Sequence, residues 1–273
     1  MCTFPEDTSG AGFPGGGVRA KKSLGQHFLH DRMIAERIVA SLSGSAGRAL
    51  EVGAGTGVLT ELLLRRADID TYAVEIDREA VAYLRARFPT LGGRLIAGDF
   101  LSLPLDDYFP APLAVIGNFP YNISSQVFFK VLENRDRIPE VVGMVQKEVA
   151  ERIACPAGSK VYGILSVLLQ AYYRIEYLFT VHAQAFRPPP KVQSAVVRLT
   201  RNNVSALGCD EQLFVKVVKA AFNQRRKVIR NSIKALTGTR ALPEHRYFSM
   251  RPEQLCVAEF VELTRLVGFL IKS

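Results

Sequence analysis

The chain has 273 residues, room for one large domain and a small one, and at 48% hydrophobic it can build a substantial core. Its net charge of +9 is unevenly placed: residues 201–273 hold 13 Lys and Arg against 6 Asp and Glu, whereas residues 1–200 hold 22 against 20. Membrane-spanning and disulfide-stapled secreted classes are excluded: no run reaches the roughly 18 apolar residues of a span, the opening residues lack a signal's apolar core, and Cys2, Cys155, Cys209 and Cys256 form no C-x-x-C or zinc-type spacing.

The expected protein is therefore soluble and cytoplasmic, with reduced thiols and no metal site. Residues 1–18 carry five Gly and two Pro and read as a flexible tail. The basic stretch RAKKSLGQHFL follows, then a helix capped by Asp31 with Ile34, Ile38, Val39 and Leu42 on one face. From Arg48 the pattern alternates. Strands are predicted at 48–52, 71–76, 94–97, 113–117 and 141–146. Helices are predicted at 58–66, 78–88, 124–132 (capped by Ser124), 147–154 and 164–173. Strands at 174–181 and 193–200 are close enough to pair antiparallel at one edge. This alternation predicts a doubly wound, Rossmann-like α/β sheet. A linker near 201–209 leads into purely helical patterns: a helix capped by Asp210, an apolar stripe at Val228, Ile229, Ile233 and Leu236, a short helix opened by Pro252, and a last one at 257–270. The predicted organisation is a tail (1–18), an α/β domain (19–200) and a small all-helical domain (201–273).

The string Glu51-Val52-Gly53-Ala54-Gly55-Thr56-Gly57 runs from strand through glycine turn to helix. Its G-x-G-x-G spacing favours S-adenosylmethionine over a dinucleotide, which would place a glycine at Val58. Glu75, ending the next strand, can accept from both ribose hydroxyls, and Asp99, after the third, from the adenine amine. Asn118-Phe119-Pro120-Tyr121 follows the fourth strand. The exocyclic N6 of adenine is a weak nucleophile because its lone pair is delocalised. The Asn118 oxygen and a following backbone carbonyl can each take one N–H and free that pair. Pro120 stiffens the turn, and Tyr121 offers a ring on which the base can stack.

The chain resembles the small-subunit (16S) rRNA adenine-N6,N6-dimethyltransferases, the kasugamycin-sensitivity family, from about Arg19 to the C-terminus. The resemblance rests on GQHFL at 25–29, EVGAGTG at 51–57, VEID at 74–77, GDF at 98–100 and GNFPYNIS at 117–124. It continues through QKEVAERI at 146–153, FRPPPKVQSAVVRL at 186–199 and AFNQRRKVIRNS at 221–232. It implies a Rossmann-like S-adenosylmethionine-dependent methyltransferase with a helical rRNA-binding domain. Such an enzyme dimethylates two adjacent adenosines near the 3′ end of small-subunit rRNA, late in ribosome assembly. The implied partner is the assembling small subunit, and the protein is expected to act as a monomer. By resemblance His27 and Leu29 border the cofactor's methionine end; Gly53, Gly55, Glu75, Asp99 and Asn118 complete the cofactor set. Phe119 offers its carbonyl, and Phe186 is the second aromatic wall of the base pocket. Arg225, Arg226 and Lys227 lie in a run of five cations that suits rRNA phosphate, although such a run also suits a solvated helix face. The rivals are a large-subunit rRNA adenine methyltransferase of the antibiotic-resistance type, against which FRPPPKV and AFNQRRKVIRNS argue, and an assembly factor acting mainly by binding.

Overall fold

The computed structural model describes residues 18–238 and 240–272. The tail expected at 1–18 thus lies outside the described residues except for Val18, which is buried. Among the described residues nine strands form two sheets: β1 (Phe28–Leu29), β2 (Arg48–Val52), β3 (Asp70–Glu75), β4 (Leu95–Ala97), β5 (Ala114–Asn118), β6 (Glu140–Gln146), β7 (Tyr173–Val181), β8 (Phe186–Arg187) and β9 (Ser194–Arg201). The helices are α1 (Arg32–Ala40), α2 (Val58–Leu63), α3 (Arg78–Arg87), α4 (Leu105–Tyr108), α5 (Ser124–Glu133), α6 (Lys147–Ala154), α7 (Ile164–Gln170), α8 (Glu211–Asn223), α9 (Ile229–Ser232), α10 (Lys234–Thr237) and α11 (Val257–Lys272).

The main sheet has the order β4-β3-β2-β5-β6-β9-β7. The first five strands are parallel, and β9 inserts antiparallel between β6 and β7. From β2 the chain winds outward through β3 and β4, then returns to β5 on the other side. The order therefore reverses between β2 and β5, and a crevice opens beyond their carboxyl ends, the usual ligand position in such sheets. Strand side chains alternate between two buried layers, as a period of two requires. Ala49, Ala114, Ile116 and Met144 pack under α1 and α2. Leu50, Val52, Val115 and Val145 join a second cluster on the opposite face. That cluster continues without a break into Phe214, Val218, Phe222 and Phe260 of the C-terminal helices. Each fully buried side chain of this kind contributes about 1.5–3 kcal/mol.

Asp31, Asp77 and Asp210 each cap a helix, accepting from Ile34 N (3.2 Å), Glu79 N (3.0 Å) and Leu213 N (2.9 Å). Ser124 does not act as the expected cap. Its hydroxyl donates to Tyr121 O (3.3 Å), and Ile123 occupies the cap position. The helix expected to reach Tyr173 stops at Gln170, because Tyr173 opens β7 and its hydroxyl donates to Ile138 O (2.9 Å). The stripe at 228–236 divides into α9 and α10 around Ile233.

Candidate functional site

The turn after β2 leaves the strand at Gly53, whose N–H donates to Val74 O of β3 (2.9 Å). Gly53 (φ +72°) and Gly55 (φ +56°) both take the left-handed backbone that side chains resist. A Cβ on Gly55 would also stand 3.0 Å from the Phe28 ring. The segment Lys21–Phe28 therefore lies as a strap close over the turn, and its residues 24–28 wall the crevice. The crevice opens to solvent, and apolar side chains with a few polar groups line it, as in small-ligand sites.

Glu75 ends β3 inside this crevice and is buried. One carboxylate oxygen accepts from Gly55 N and the other from Asp77 N, both at 2.8 Å. Burial pushes its carboxyl above the usual carboxylate range, while the N–H groups of Asp77 and Gly55 work the other way. Each oxygen keeps lone-pair capacity for a ligand hydroxyl. Asp99, half-buried past β4, lines the crevice and uses Oδ1 to accept from Leu101 N (2.9 Å), which fixes its carboxylate.

Asn118 closes β5. Its Nδ2 donates to His27 O of the strap at 2.8 Å. That bond assigns the amide, so Oδ1 is the acceptor offered to the crevice. Phe119 is among the residues lining the crevice, and its ring is fully buried and edge-on to Phe128. Its N–H donates to Met144 O (3.0 Å), and its carbonyl has no hydrogen bond among the described residues. Gly117 makes this close approach possible, since a Cβ there would stand 2.5 Å from Val52 O. Pro120 and Tyr121 complete the wall. The Tyr121 hydroxyl pairs with Ser194 Oγ of β9, and its ring lies 5.3 Å from the His27 ring at 31°. His27 Nδ1 is 2.8 Å from Pro188 O. A carbonyl can only accept, so Nδ1 carries the proton.

His27, Gly53, Gly55, Glu75, Asp99 and Asn118 through Tyr121 are thus gathered around one crevice. Two expected members are not. Leu29 and Phe186 face each other in the β1–β8 pair and are 4% and 1% exposed. Phe186 is not among the residues that line the crevice. Its ring belongs to the core under α1, and the pair anchors one end of the strap. Arg225, Arg226 and Lys227 also lie outside the crevice, in the turn after α8. Arg225 is half-buried and donates to the Ser159 (3.5 Å) and Lys160 carbonyls, so it ties down a loop, whereas Arg226 and Lys227 are exposed.

Sequence reasoning passed over four residues that hold the site together: Gln26, Glu51, Asp77 and Ser194. All four sit inside the quoted motifs, where position beside a motif residue was the available signal. Glu51 is buried, accepts from Thr60 Oγ1 at 2.5 Å, and burial pushes its carboxyl up to about 8. A carboxyl raised in this way holds a proton in the folded chain that the unfolded chain has released. Its contribution to stability is therefore lost as pH rises from about 4.5 to about 8. Glu51→Gln should flatten that part of the curve. Thermal melts across this window are expected to show the variant gaining on the wild type as pH rises, and parallel curves would refute the buried, protonated state.

The model of the family described as ribosomal RNA adenine dimethylase matches residues 17–255. The chain is 57% identical over 250 residues to the ribosomal RNA small subunit methyltransferase A of Parabacteroides distasonis, covering 90% of this chain and 93% of that protein. It is 54% identical over 253 residues to the protein of that name from Cytophaga hutchinsonii, covering 92% and 98%. The fold matches a dimethyladenosine transferase from Plasmodium falciparum (TM-score 0.73, 24% identity, 89% and 97% covered). It also matches the 23S rRNA methyltransferase ErmE (TM-score 0.62, 24% identity, 88% and 99% covered), and both likenesses concern the fold alone. Spanned almost end to end by that family model and by relatives of more than half identity, the chain belongs to the ribosomal RNA adenine dimethylase family.

Proposed function

We propose that this protein uses S-adenosylmethionine to dimethylate the N6 atoms of two adjacent adenosines near the 3′ end of small-subunit rRNA, acting on the assembling subunit late in its biogenesis. The observation that carries the reading is the Asn118 amide, pinned through Nδ2 to the strap so that Oδ1 faces the crevice that Glu75 also lines.

The residues suit the cofactor. Glu75, its carboxylate already oriented by two N–H groups, would take the ribose hydroxyls, and Asp99 the adenine amine. Bound there, S-adenosylmethionine supplies an electrophilic methyl group on a sulfonium. Asn118 Oδ1 and the Phe119 carbonyl accept the two N–H groups of the target amine and draw its nitrogen toward a tetrahedral shape, which frees the lone pair. Tyr121, its hydroxyl held by Ser194, presents a ring for the base, worth about 1–3 kcal/mol of stacking. Burial pushes this phenol up, which keeps it neutral. The methylated nitrogen is acidic and releases its proton to water.

The test is the mass of rRNA fragments after incubation with under-methylated small subunits and cofactor. Two dimethyladenosines in the 3′-terminal fragment are expected, and methylation of large-subunit rRNA instead would overturn the substrate. For docking, Arg226 and Lys227 are the exposed cations of the turn after α8. Reversing both to Glu should weaken subunit binding several-fold and make its dependence on salt shallower, as fewer counterions are released. Equal affinities and equal slopes would assign both residues to a solvated turn.

A further inference from the structure

Asp77 takes no part in the chemistry above, yet three hydrogen bonds converge on its carboxylate. Its carboxylate is fully buried. Oδ1 receives Lys21 Nζ at 2.5 Å and the α3 N–H of Glu79 at 3.0 Å. Oδ2 receives Gln26 Nε2 at 3.2 Å. The Asp77 N–H donates in turn to Glu75 Oε1. Gln26 is itself fixed, since its Oε1 accepts from Lys21 N at 2.8 Å. One residue therefore joins the strap and the start of α3, through its side chain, to the Glu75 carboxylate, through its backbone N–H.

The strap has a second attachment. Phe28–Leu29 pair with Phe186–Arg187, with Leu29 buried. Between the two anchors the strap passes close to Asn122, which also lines the crevice: a Cβ on Gly25 would stand 2.7 Å from Asn122 Oδ1. A ligand in the crevice thus lies beside a segment held at both ends. The anchors differ in kind. The β1–β8 end is a backbone ladder with a buried leucine, whereas Lys21 is 42% exposed and its ion pair is open to screening by salt. The Lys21 end costs less to release.

We propose that Asp77, gripping Lys21 and Gln26, is a positioning residue whose latch sets the residence time of the cofactor. The proposal rests on the reading of the crevice as the S-adenosylmethionine site. Lys21→Met removes the cation but leaves the α3 cap and the Gln26 bond. Asp77→Asn keeps an oxygen to cap α3 but removes the charge.

The experiment is a chase of tritiated S-adenosylmethionine from the full-length protein without RNA, at several salt concentrations. In Lys21→Met, dissociation should be about three- to fivefold faster, in keeping with a partly exposed ion pair. Wild-type dissociation should accelerate with salt and the variant's should not. Asp77→Asn should act in the same direction, and the double variant should be no faster than the faster single one. In transfer assays KM for the cofactor should rise while kcat at saturation is retained. Unchanged dissociation in Lys21→Met, equal salt dependence, or additive single effects would each overturn the latch. Wild-type protein that binds no S-adenosylmethionine would overturn the crevice assignment itself, and the latch with it.

Discussion

Replacing Asn118 by alanine is expected to leave S-adenosylmethionine affinity within a few-fold while cutting methyl transfer by about a hundredfold or more, the usual loss when a preorganised polar group is removed from a reacting centre. The two effects separate because Asn118 makes one bond to the strap and offers one oxygen to the target amine. Losing the strap bond frees His27 O, which lies at the half-buried rim where water can replace the donor, so cofactor binding suffers little. Losing the oxygen leaves the Phe119 carbonyl as the remaining acceptor of the pair, and one acceptor does not pyramidalise the nitrogen. Asn118→Asp is an informative partner. It keeps an acceptor, but sets a carboxylate against the His27 carbonyl where Nδ2 donated, so it should also be impaired. Calorimetric titration with S-adenosylhomocysteine and single-turnover transfer should be run side by side. Near-normal turnover in Asn118→Ala would remove the residue from the chemistry, whereas a cofactor affinity that collapses with the rate would make it chiefly part of the binding wall.

Much of this site was readable in the sequence because its parts sit at strand ends. Buried parallel strands appear as apolar runs, and the residue after each run lands at the same edge of the sheet. Glu75, Asp99 and Asn118 thus come together once the doubly wound order is recognised. The edge pairing of β7 with β9 was legible for a similar reason: two strand patterns stood close in the chain with no helix between them. The two-residue strands β1 and β8 left no periodicity, and they meet across more than 150 residues. Phe186 was consequently read as a wall of the base pocket, whereas the pairing buries it. The same long-range closure hid the Gln26–Asp77 bond, and it hid Arg225, whose acceptors are backbone carbonyls that carry no sequence signature. Motifs marked the residues that line the crevice, and three-dimensional closure was needed to find those that hold them.

Glu75→Ala should reverse the Asn118 pattern, weakening the cofactor first. Deleting a charged acceptor of two ribose hydroxyls costs roughly 1.5–3 kcal/mol, about ten- to a hundredfold in affinity. Alanine also leaves Gly55 N and Asp77 N without their acceptor, so some loss could come from a loosened glycine turn instead of the missing ribose contact. A double cycle separates the two. Wild-type protein and Glu75→Ala are each titrated with S-adenosylhomocysteine and with its 2′-deoxy analogue. If Glu75 holds the ribose, wild type discriminates between these ligands and the variant does not, because the deleted hydroxyl and the deleted carboxylate are the same interaction. A turn that had merely loosened would weaken both ligands equally and preserve the discrimination. Salt provides a second check. Burial raises the Glu75 carboxyl, and its donors are neutral N–H groups, so its contact with a neutral ribose should be nearly indifferent to ionic strength, unlike the Lys21 latch two residues from its strand. A Glu75→Ala loss that grows or shrinks markedly with salt would mean that the substitution had disturbed the Asp77 hub and not the ribose contact.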